Sequence, residues 1–193
     1  DIALVNEYFS KTIDNLMSQY DTINRNHYWD PVTTALYADL GTKLELYQDL
    51  MSLSLYVHHA NMFICKAGSL GGLHIDNASD PRHCSLNLPV RGCEKSRMIW
   101  TREDQFAIGE VDQRNGIRAG HPVGTNPSND EGWEIVDQCS VARTTLLKTD
   151  YWHTIDNRNN EQPRIALAFR LVNNPSYEEI QDKLVNAGLA ELG

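Results

Sequence analysis

The sequence lacks a long apolar run, a dense basic region and closely spaced cysteine pairs. No apolar stretch approaches the roughly 18 residues of a membrane-spanning helix, and the first residues show no basic-then-apolar signal pattern. We therefore expect a cytoplasmic protein with no membrane association. The sequence begins at Asp1 rather than Met, which leaves open that a natural beginning is missing. The cysteines are predicted to be reduced thiols, because a chain of 193 residues can build a core without disulfides.

Acidic residues outnumber basic ones, with 26 Asp and Glu against 17 Lys and Arg, and the formal net charge is -9. Such a surface repels nucleic-acid phosphates and anionic lipids. The most basic stretch, 82–102, is interrupted by an acidic residue and is predicted to be a solvated face. Nucleic acid and membranes are thus disfavoured as partners, and the sequence does not indicate an oligomeric state.

Helices are predicted at both ends of one folding domain. Apolar residues recur at helical spacing over 2–20, and a second helix is expected from Asp30 to about residue 50, with Pro31 at its first position. At the other end, a capping box that begins at Ser176 predicts a helix over about 176–191.

Short β-forming runs fill the centre of the chain, from about 51 to 172. Helices and strands do not alternate, so a parallel βαβ fold is excluded. We expect a mainly β fold, a sandwich or jelly roll braced by two N-terminal helices and one C-terminal helix. The glycine-rich stretch 114–132 shows no periodicity and is predicted to be a long loop and a candidate lid.

A histidine and a carboxylate lie two residues apart, at His74 and Asp76, just after a glycine cluster. In an extended strand both side chains leave by the same face, so they can bind one metal ion. Chance alone often produces such a pair in a chain with 7 His, so a third ligand is needed.

His153 is the best candidate for the third ligand, because it directly follows a strand-like run. His83 is too close to Asp76 to lie on a separate strand, and His121 lies in the glycine-rich stretch, which is a poor rigid support. Two imidazoles and one carboxylate leave other metal positions open, an arrangement suited to Fe(II) that binds a cosubstrate and O2. Open positions indicate catalysis.

The run Arg164–Leu171 alternates between an apolar face and a face made of arginines and alanines. The small alanines leave room for a ligand, and arginine can hold a carboxylate through two parallel hydrogen bonds. Arg164 and Arg170 lie roughly 20 Å apart along a strand, so only one can serve a small ligand. We assign that role to Arg164, which follows His153 across one polar turn, with Arg170 as the alternative.

The set His74, Asp76, His153 and Arg164 resembles the Fe(II)/2-oxoglutarate-dependent oxygenases. In that family the distal histidine is followed about ten residues later by an arginine that binds the C5 carboxylate of 2-oxoglutarate. The local sequence is similar to the prolyl-hydroxylase-like enzymes and to phage or marine bacterial branches. The resemblance covers about residues 51–172 and implies a double-stranded β-helix, or jelly-roll, core.

The resemblance implies that His74, Asp76 and His153 bind Fe(II) and that Arg164 binds the far carboxylate of 2-oxoglutarate. O2 is the other reactant, ascorbate is an expected stimulant, and succinate and CO2 are released. The expected reaction is hydroxylation of a C–H bond in a small molecule or in a free or peptidyl amino-acid side chain.

The sequence departs from the family where many members place a tyrosine, nine or ten residues before the first histidine. Cys65 and Lys66 occupy those positions here. The second protein contact to the cosubstrate is therefore open, and Asn87 on a neighbouring predicted strand is one candidate.

Other functions are compatible with parts of the sequence. A cupin-like metal-binding protein without enzymatic activity shares most of the features above. Ser69 lies in a segment one residue away from the nucleophile elbow of serine hydrolases, but glycines and Pro81 follow where that elbow needs a helix. A zinc site would have to use residues that lack close paired spacing: His58, His59, Cys84 and Cys93.

Overall fold

Two antiparallel sheets form the centre of the protein in the computed structural model, which describes residues 1–18, 39–76, 84–102, 106–112, 117–122 and 133–191. The ranges 106–112 and 117–122 are described by their backbone alone. The strands in chain order are β1 Val57–Cys65, β2 His74–Ile75, β3 Cys84–Arg91, β4 Arg97–Thr101, β5 Phe106–Asp112, β6 Ile117–Pro122, β7 Ile135–Ser140, β8 Thr145–Lys148, β9 His153–Asp156 and β10 Arg164–Leu171.

The strand order is β1-β10-β3-β8 in the four-stranded sheet and β5-β6-β2-β9-β4-β7 in the six-stranded sheet. All of the described strand pairs are antiparallel. The predicted mainly β fold is confirmed at this level. The loop prediction for 114–132 is wrong over Ile117–Pro122, which form β6 and pair with both β5 and β2. The other residues of that stretch lie outside the described residues, and the lid stays a prediction.

Helices flank the strand region on both sides in the sequence. They are α1 Ile2–Tyr8, α2 Ser10–Ser18, α3 Glu45–Ser52 and α4 Tyr177–Asn186, with a 3-10 turn at Leu40–Thr42. The Ser176 hydroxyl accepts a hydrogen bond from the Glu179 N–H at 3.1 Å, which confirms the predicted capping box. In the described part of the chain, no helix combines the length and the apolar character that crossing a lipid bilayer requires.

The single helix predicted over 2–20 is two helices in the part that the structure describes. Phe9 ends α1 with φ -98° and ψ 12°. Helical hydrogen bonding nevertheless continues across the break, because the Phe9 N–H donates to the Val5 carbonyl and the Ile13 N–H donates to the Phe9 carbonyl. The side chains of all three residues are buried. The buried stripe therefore survives the break. The predicted start of the second helix at Asp30 lies outside the described residues. In the described part of that prediction, Leu40–Thr42 form the 3-10 turn and α-helix is found from Glu45 onward.

The main hydrophobic core lies between the four-stranded sheet and the helices. Ile165, Leu167 and Phe169 of β10 are buried in it, together with apolar residues of α1, α3 and α4. Burial of each such side chain contributes about 1.5–3 kcal/mol. Since side chains alternate along a strand, Arg164 and Arg170 lie on the opposite face of β10, which faces the other sheet.

Candidate metal centre

His74 and His153 lie directly opposite each other on the neighbouring strands β2 and β9. Residues paired in this way point to the same face of a sheet, so their imidazoles come together, with ring centroids 4.4 Å apart. Asp76 follows β2, and its N–H donates to the Thr149 carbonyl at 3.1 Å. This bond fixes the backbone that carries the carboxylate.

One potential ligand atom from each of His74, Asp76 and His153 lies within 4.8 Å of the other two. His74 Nε2 is 3.5 Å from Asp76 Oδ1. Among the described residues, His74, Asp76 and His153 form the one group of three histidine, cysteine or acidic side chains whose ligand atoms are close enough to share a metal ion. Two imidazoles and a carboxylate suit a divalent transition metal and leave part of its coordination sphere open. The structure thus brings the three residues together, and their binding of a metal stays a prediction.

Backbone carbonyls orient both imidazoles. His74 Nδ1 lies 2.7 Å from the Gly72 carbonyl oxygen, and His153 Nδ1 lies 2.7 Å from the Tyr151 carbonyl oxygen. A carbonyl can only accept, so Nδ1 carries the proton in each neutral ring and Nε2 keeps its lone pair. That tautomer leaves Nε2 of both rings available for a metal.

The charges at the site also suit metal binding. Burial, with a smaller contribution from the neighbouring His74, lowers the pKa of His153 to about 4, so His153 is neutral at pH 7. Burial alone would raise the pKa of Asp76, but the charge of Arg170 and the two imidazoles hold it well below its usual range. The site therefore offers neutral imidazole and an ionised carboxylate, the forms that ligate metals.

Arg170, the alternative anchor considered above, belongs to this centre. Its Nη2 forms an ion pair with Asp76 Oδ2. Its Nη1 donates to the Thr149 hydroxyl at 3.3 Å and lies 3.5 Å from the Cys84 carbonyl oxygen. Since Oδ2 is held by Arg170, Oδ1 is the carboxylate oxygen that remains on the side of His74. The sequence predicts that Arg164 and Arg170 share one face of a strand, but it does not indicate that Arg170 pairs with Asp76.

Arg164, the predicted anchor, lies at the other end of β10 and is 1% exposed. Its Nε and Nη2 have no hydrogen-bond partner among the described residues. It lies opposite Cys65 of β1, and its guanidinium donates a hydrogen bond to the Cys65 sulfur. A buried cation with unpaired donors is costly unless an anion completes it. The residues present therefore fit a carboxylate ligand here, and the anchor role of Arg164 stays a prediction.

The alternative sites have less support in the structure. The Ser69 hydroxyl donates to the Lys66 carbonyl at 2.7 Å, and an isolated bridge and the short strand β2 follow, where a nucleophile elbow needs a helix. The Cys93 thiol donates to backbone carbonyls, and all four cysteines are free. His83 lies outside the described residues, and His121 is described by its backbone alone.

Comparisons with known proteins do not place the chain in a family. No family model matches it, and no relative was found among the curated proteins. Among solved structures, it is similar to the hydroquinone 1,2-dioxygenase PnpCD, crystallised with Cd2+ and 4-hydroxybenzonitrile, at 11% identity and a TM-score of 0.32. The match covers 62% of this chain and 64% of that chain, which is less than two thirds of the neighbour's length. At this level of similarity the centre has to be judged by its own geometry.

Proposed function

We propose that the protein is an Fe(II)- and 2-oxoglutarate-dependent oxygenase that hydroxylates a C–H bond. The observation that carries the proposal is the convergence of His74, Asp76 and His153, with ligand atoms within 4.8 Å of one another. Buried Arg164 lies on the face of β10 that also carries Arg170, and its unpartnered donors would bind the cosubstrate carboxylate that such a site needs.

The strand order supports a jelly-roll core for the proposal. When the two outer strands β5 and β6 are left aside, the six-stranded sheet has the order β2-β9-β4-β7, and the four-stranded sheet has the order β1-β10-β3-β8. Successive strands β1 to β4 then alternate between the sheets, and so do β7 to β10. Strands that wind between two facing sheets in this manner are typical of a jelly roll, and the centre lies on two adjacent strands of one sheet.

Each residue has a defined task in the proposed reaction. His74, Asp76 and His153 would hold Fe(II), which supplies the activation of O2 when bound. Arg164 would bind the far carboxylate of 2-oxoglutarate and so orient its 2-oxo acid end toward the metal ligands. The small side chains of Ala166 and Ala168 would leave room for the cosubstrate between the two arginines, and their burial would keep water away from it.

The overall reaction is balanced by its two cosubstrates. One atom of O2 enters succinate as 2-oxoglutarate loses CO2, and the other atom becomes the hydroxyl group of the product. We propose a small molecule or an amino-acid side chain, free or peptidyl, as the substrate. The net charge of -9 disfavours nucleic acid.

The test of the proposed function is metal-dependent turnover of 2-oxoglutarate. Purified protein with Fe(II), ascorbate and O2 is expected to release succinate slowly even without a substrate. His74→Ala should abolish both tight metal binding and succinate release, whereas His58→Ala should leave both unchanged, because His58 is exposed on β1. Succinate release that survives His74→Ala would show that the metal ligands are wrong.

The same assay distinguishes an enzyme from a metal-binding protein without activity. Binding of both Fe(II) and 2-oxoglutarate without any succinate release, over a wide range of candidate substrates, would favour the cupin-like non-enzyme. Hydrolysis of an activated ester that Ser69→Ala abolishes would favour the serine hydrolase.

A further inference from the structure

A row of side chains crosses the four-stranded sheet on the face opposite the main core. Asn61 of β1 pairs with Ala168 of β10, and Ala168 pairs with Asn87 of β3. Paired residues of antiparallel strands share a face. Their sequence neighbours on each strand, such as Met62, belong to the main hydrophobic core on the other face. The two asparagines therefore lie on either side of Ala168, on the face that carries Arg164 and Arg170.

Asn61 is the unusual member of this row. It is 4% exposed, and its Oδ1 has no hydrogen-bond partner among the described residues. A buried amide atom without a partner is costly, and native proteins rarely keep one unless a water or a ligand completes it. The sequence neighbours of Asn61 on β1, Ala60 and Met62, are apolar residues of the main core, so their side chains offer its oxygen no hydrogen bond.

Asn87, the candidate suggested by the sequence, differs from Asn61 in this respect. Its Oδ1 accepts a hydrogen bond from the Ser85 hydroxyl at 3.0 Å, and its side chain is only partly buried. Its amide is therefore already oriented by the protein. Asn61 combines deep burial with an unused hydrogen-bonding group, which Asn87 does not.

The position of Asn61 places it between the two ends of the candidate site. Its partner Ala168 lies two residues from Arg170, which binds Asp76, and four residues from Arg164. At about 3.4 Å per residue, Asn61 lies roughly 7 Å along the strand from the metal end and roughly 14 Å from Arg164. Ala168 has a single methyl group, the smallest side chain that a residue other than glycine can place beside the Asn61 amide.

We propose that Asn61 is the second protein contact to the cosubstrate and donates from its side-chain amide to an oxygen of the 2-oxo acid. The proposal rests on the proposed function. It assigns the second contact to Asn61 rather than to Cys65 or Asn87. A half-turn of the amide exchanges its oxygen and NH2 group with little change in shape, so Asn61 can present a donor to a carboxylate or keto oxygen.

The experiment measures equilibrium binding of 2-oxoglutarate to the Mn(II)-loaded protein by calorimetry, without O2 so that no turnover occurs. Asn61→Ala is expected to weaken binding about tenfold or more, because a hydrogen bond to a charged group is lost. Asn61→Asp, which keeps the shape but places a negative charge beside the ligand, should weaken it further. Asn87→Ala is the matched control from the same row and should change the affinity less than about threefold.

Metal binding separates a ligand contact from a structural role. The Mn(II) affinity of the Asn61→Ala protein is expected to match that of the wild type, since Asn61 is not one of the predicted metal ligands and the change introduces no charge. A fall in Mn(II) affinity as large as the fall in 2-oxoglutarate affinity would overturn the proposal, because Asn61 would then support the metal centre alone.

The outcomes also distinguish this inference from the proposed function. If the wild type binds 2-oxoglutarate and Arg164→Ala weakens it, while both Asn61 variants bind as the wild type does, the contact is wrong and the function stands. If Asn87→Ala weakens binding and Asn61→Ala does not, the second contact is Asn87. If the wild type itself does not bind 2-oxoglutarate, the proposed function and this inference both fail.

Discussion

Arg170 and Asp76 form a buried ion pair that joins the two sheets at the candidate metal centre. Arg170 belongs to β10 of the four-stranded sheet, and Asp76 follows β2 of the six-stranded sheet. Their side chains are 11% and 9% exposed. The carboxylate is thus compensated by a protein cation as well as by any metal that the site binds.

Removal of Arg170 should destabilise the metal-free protein. Arg170→Ala leaves the Asp76 carboxylate buried without its cation, and loss of one partner of a buried pair costs about 3–5 kcal/mol. The free energy of unfolding, measured by urea denaturation without metal, is expected to fall by about that amount. Mn(II) should restore more stability to this variant than to the wild type, because the metal supplies positive charge beside Asp76.

An exposed ion pair gives the matched control for Arg170. Arg102 and Glu134 lie 3.1 Å apart with both side chains more than half exposed. Arg102→Ala should cost less than about 1 kcal/mol, the usual value for a surface pair. If Arg170→Ala costs no more than Arg102→Ala, the ion pair with Asp76 does not matter to the fold.

A larger side chain at Ala168 should block the cosubstrate and spare the metal. Ala168 is buried on the face of β10 that carries Arg164 and Arg170. Ala168→Leu fills the space that the proposed ligand needs, so 2-oxoglutarate affinity is expected to fall at least about tenfold while Mn(II) affinity stays within about threefold. Ala187→Leu, at an exposed position after α4, is the control. Unchanged 2-oxoglutarate affinity in Ala168→Leu would show that the ligand does not lie over this part of the strand.

The sequence predicts the candidate centre better than its surroundings. The spacing of His74 and Asp76 and the period-two pattern of 164–171 are local properties, and local geometry decides which face each side chain takes. The pairing of Arg170 with Asp76 depends instead on how the two sheets face each other. No local pattern carries that information. For the same reason the unpartnered side-chain oxygen of Asn61 could not be recognised before its burial was known.

Two errors in the predicted fold have physical causes. The segment that contains β6 is rich in glycine, proline and asparagine, which favour turns, but tertiary pairing with β5 and β2 overrides that preference. The break between α1 and α2 at Phe9 keeps Val5, Phe9 and Ile13 in one buried stripe. A hydrophobic period of this kind therefore cannot reveal the break.

Asp156 should make the stability of the protein depend on pH. Burial alone would raise the pKa of Asp156, but hydrogen bonds and charge from Arg158, with further charge from Arg97, hold it below its ordinary value of 3.8. Its carboxylate therefore binds protons less readily in the folded than in the unfolded protein. The resulting stabilisation is present above pH 3.8 and is lost as the pH falls through the lowered pKa.

The free energies of unfolding of the wild type and Asp156→Asn, compared at several pH values, test this dependence. The wild type should be more stable at pH 7, and the difference should shrink as the pH falls below about 4. Asp182→Asn, at an exposed position of α4, controls for loss of one negative charge. A wild-type advantage that stays constant down to pH 2 would contradict the assigned role of the Asp156 charge.

Gly92 should tolerate no side chain, because it determines where β10 begins. Its φ is +63°, and a Cβ there would lie 2.3 Å from the Pro163 carbonyl oxygen, a backbone atom that cannot move aside. Gly92→Ala is expected to cost more than about 3 kcal/mol of unfolding free energy, from the clash and the left-handed backbone together. Gly188 has a similar φ of +70° with nothing within 4 Å, so Gly188→Ala should cost only about 1 kcal/mol. Equal costs in urea denaturation would show that the contact with Pro163 does not hold the chain in place before Arg164.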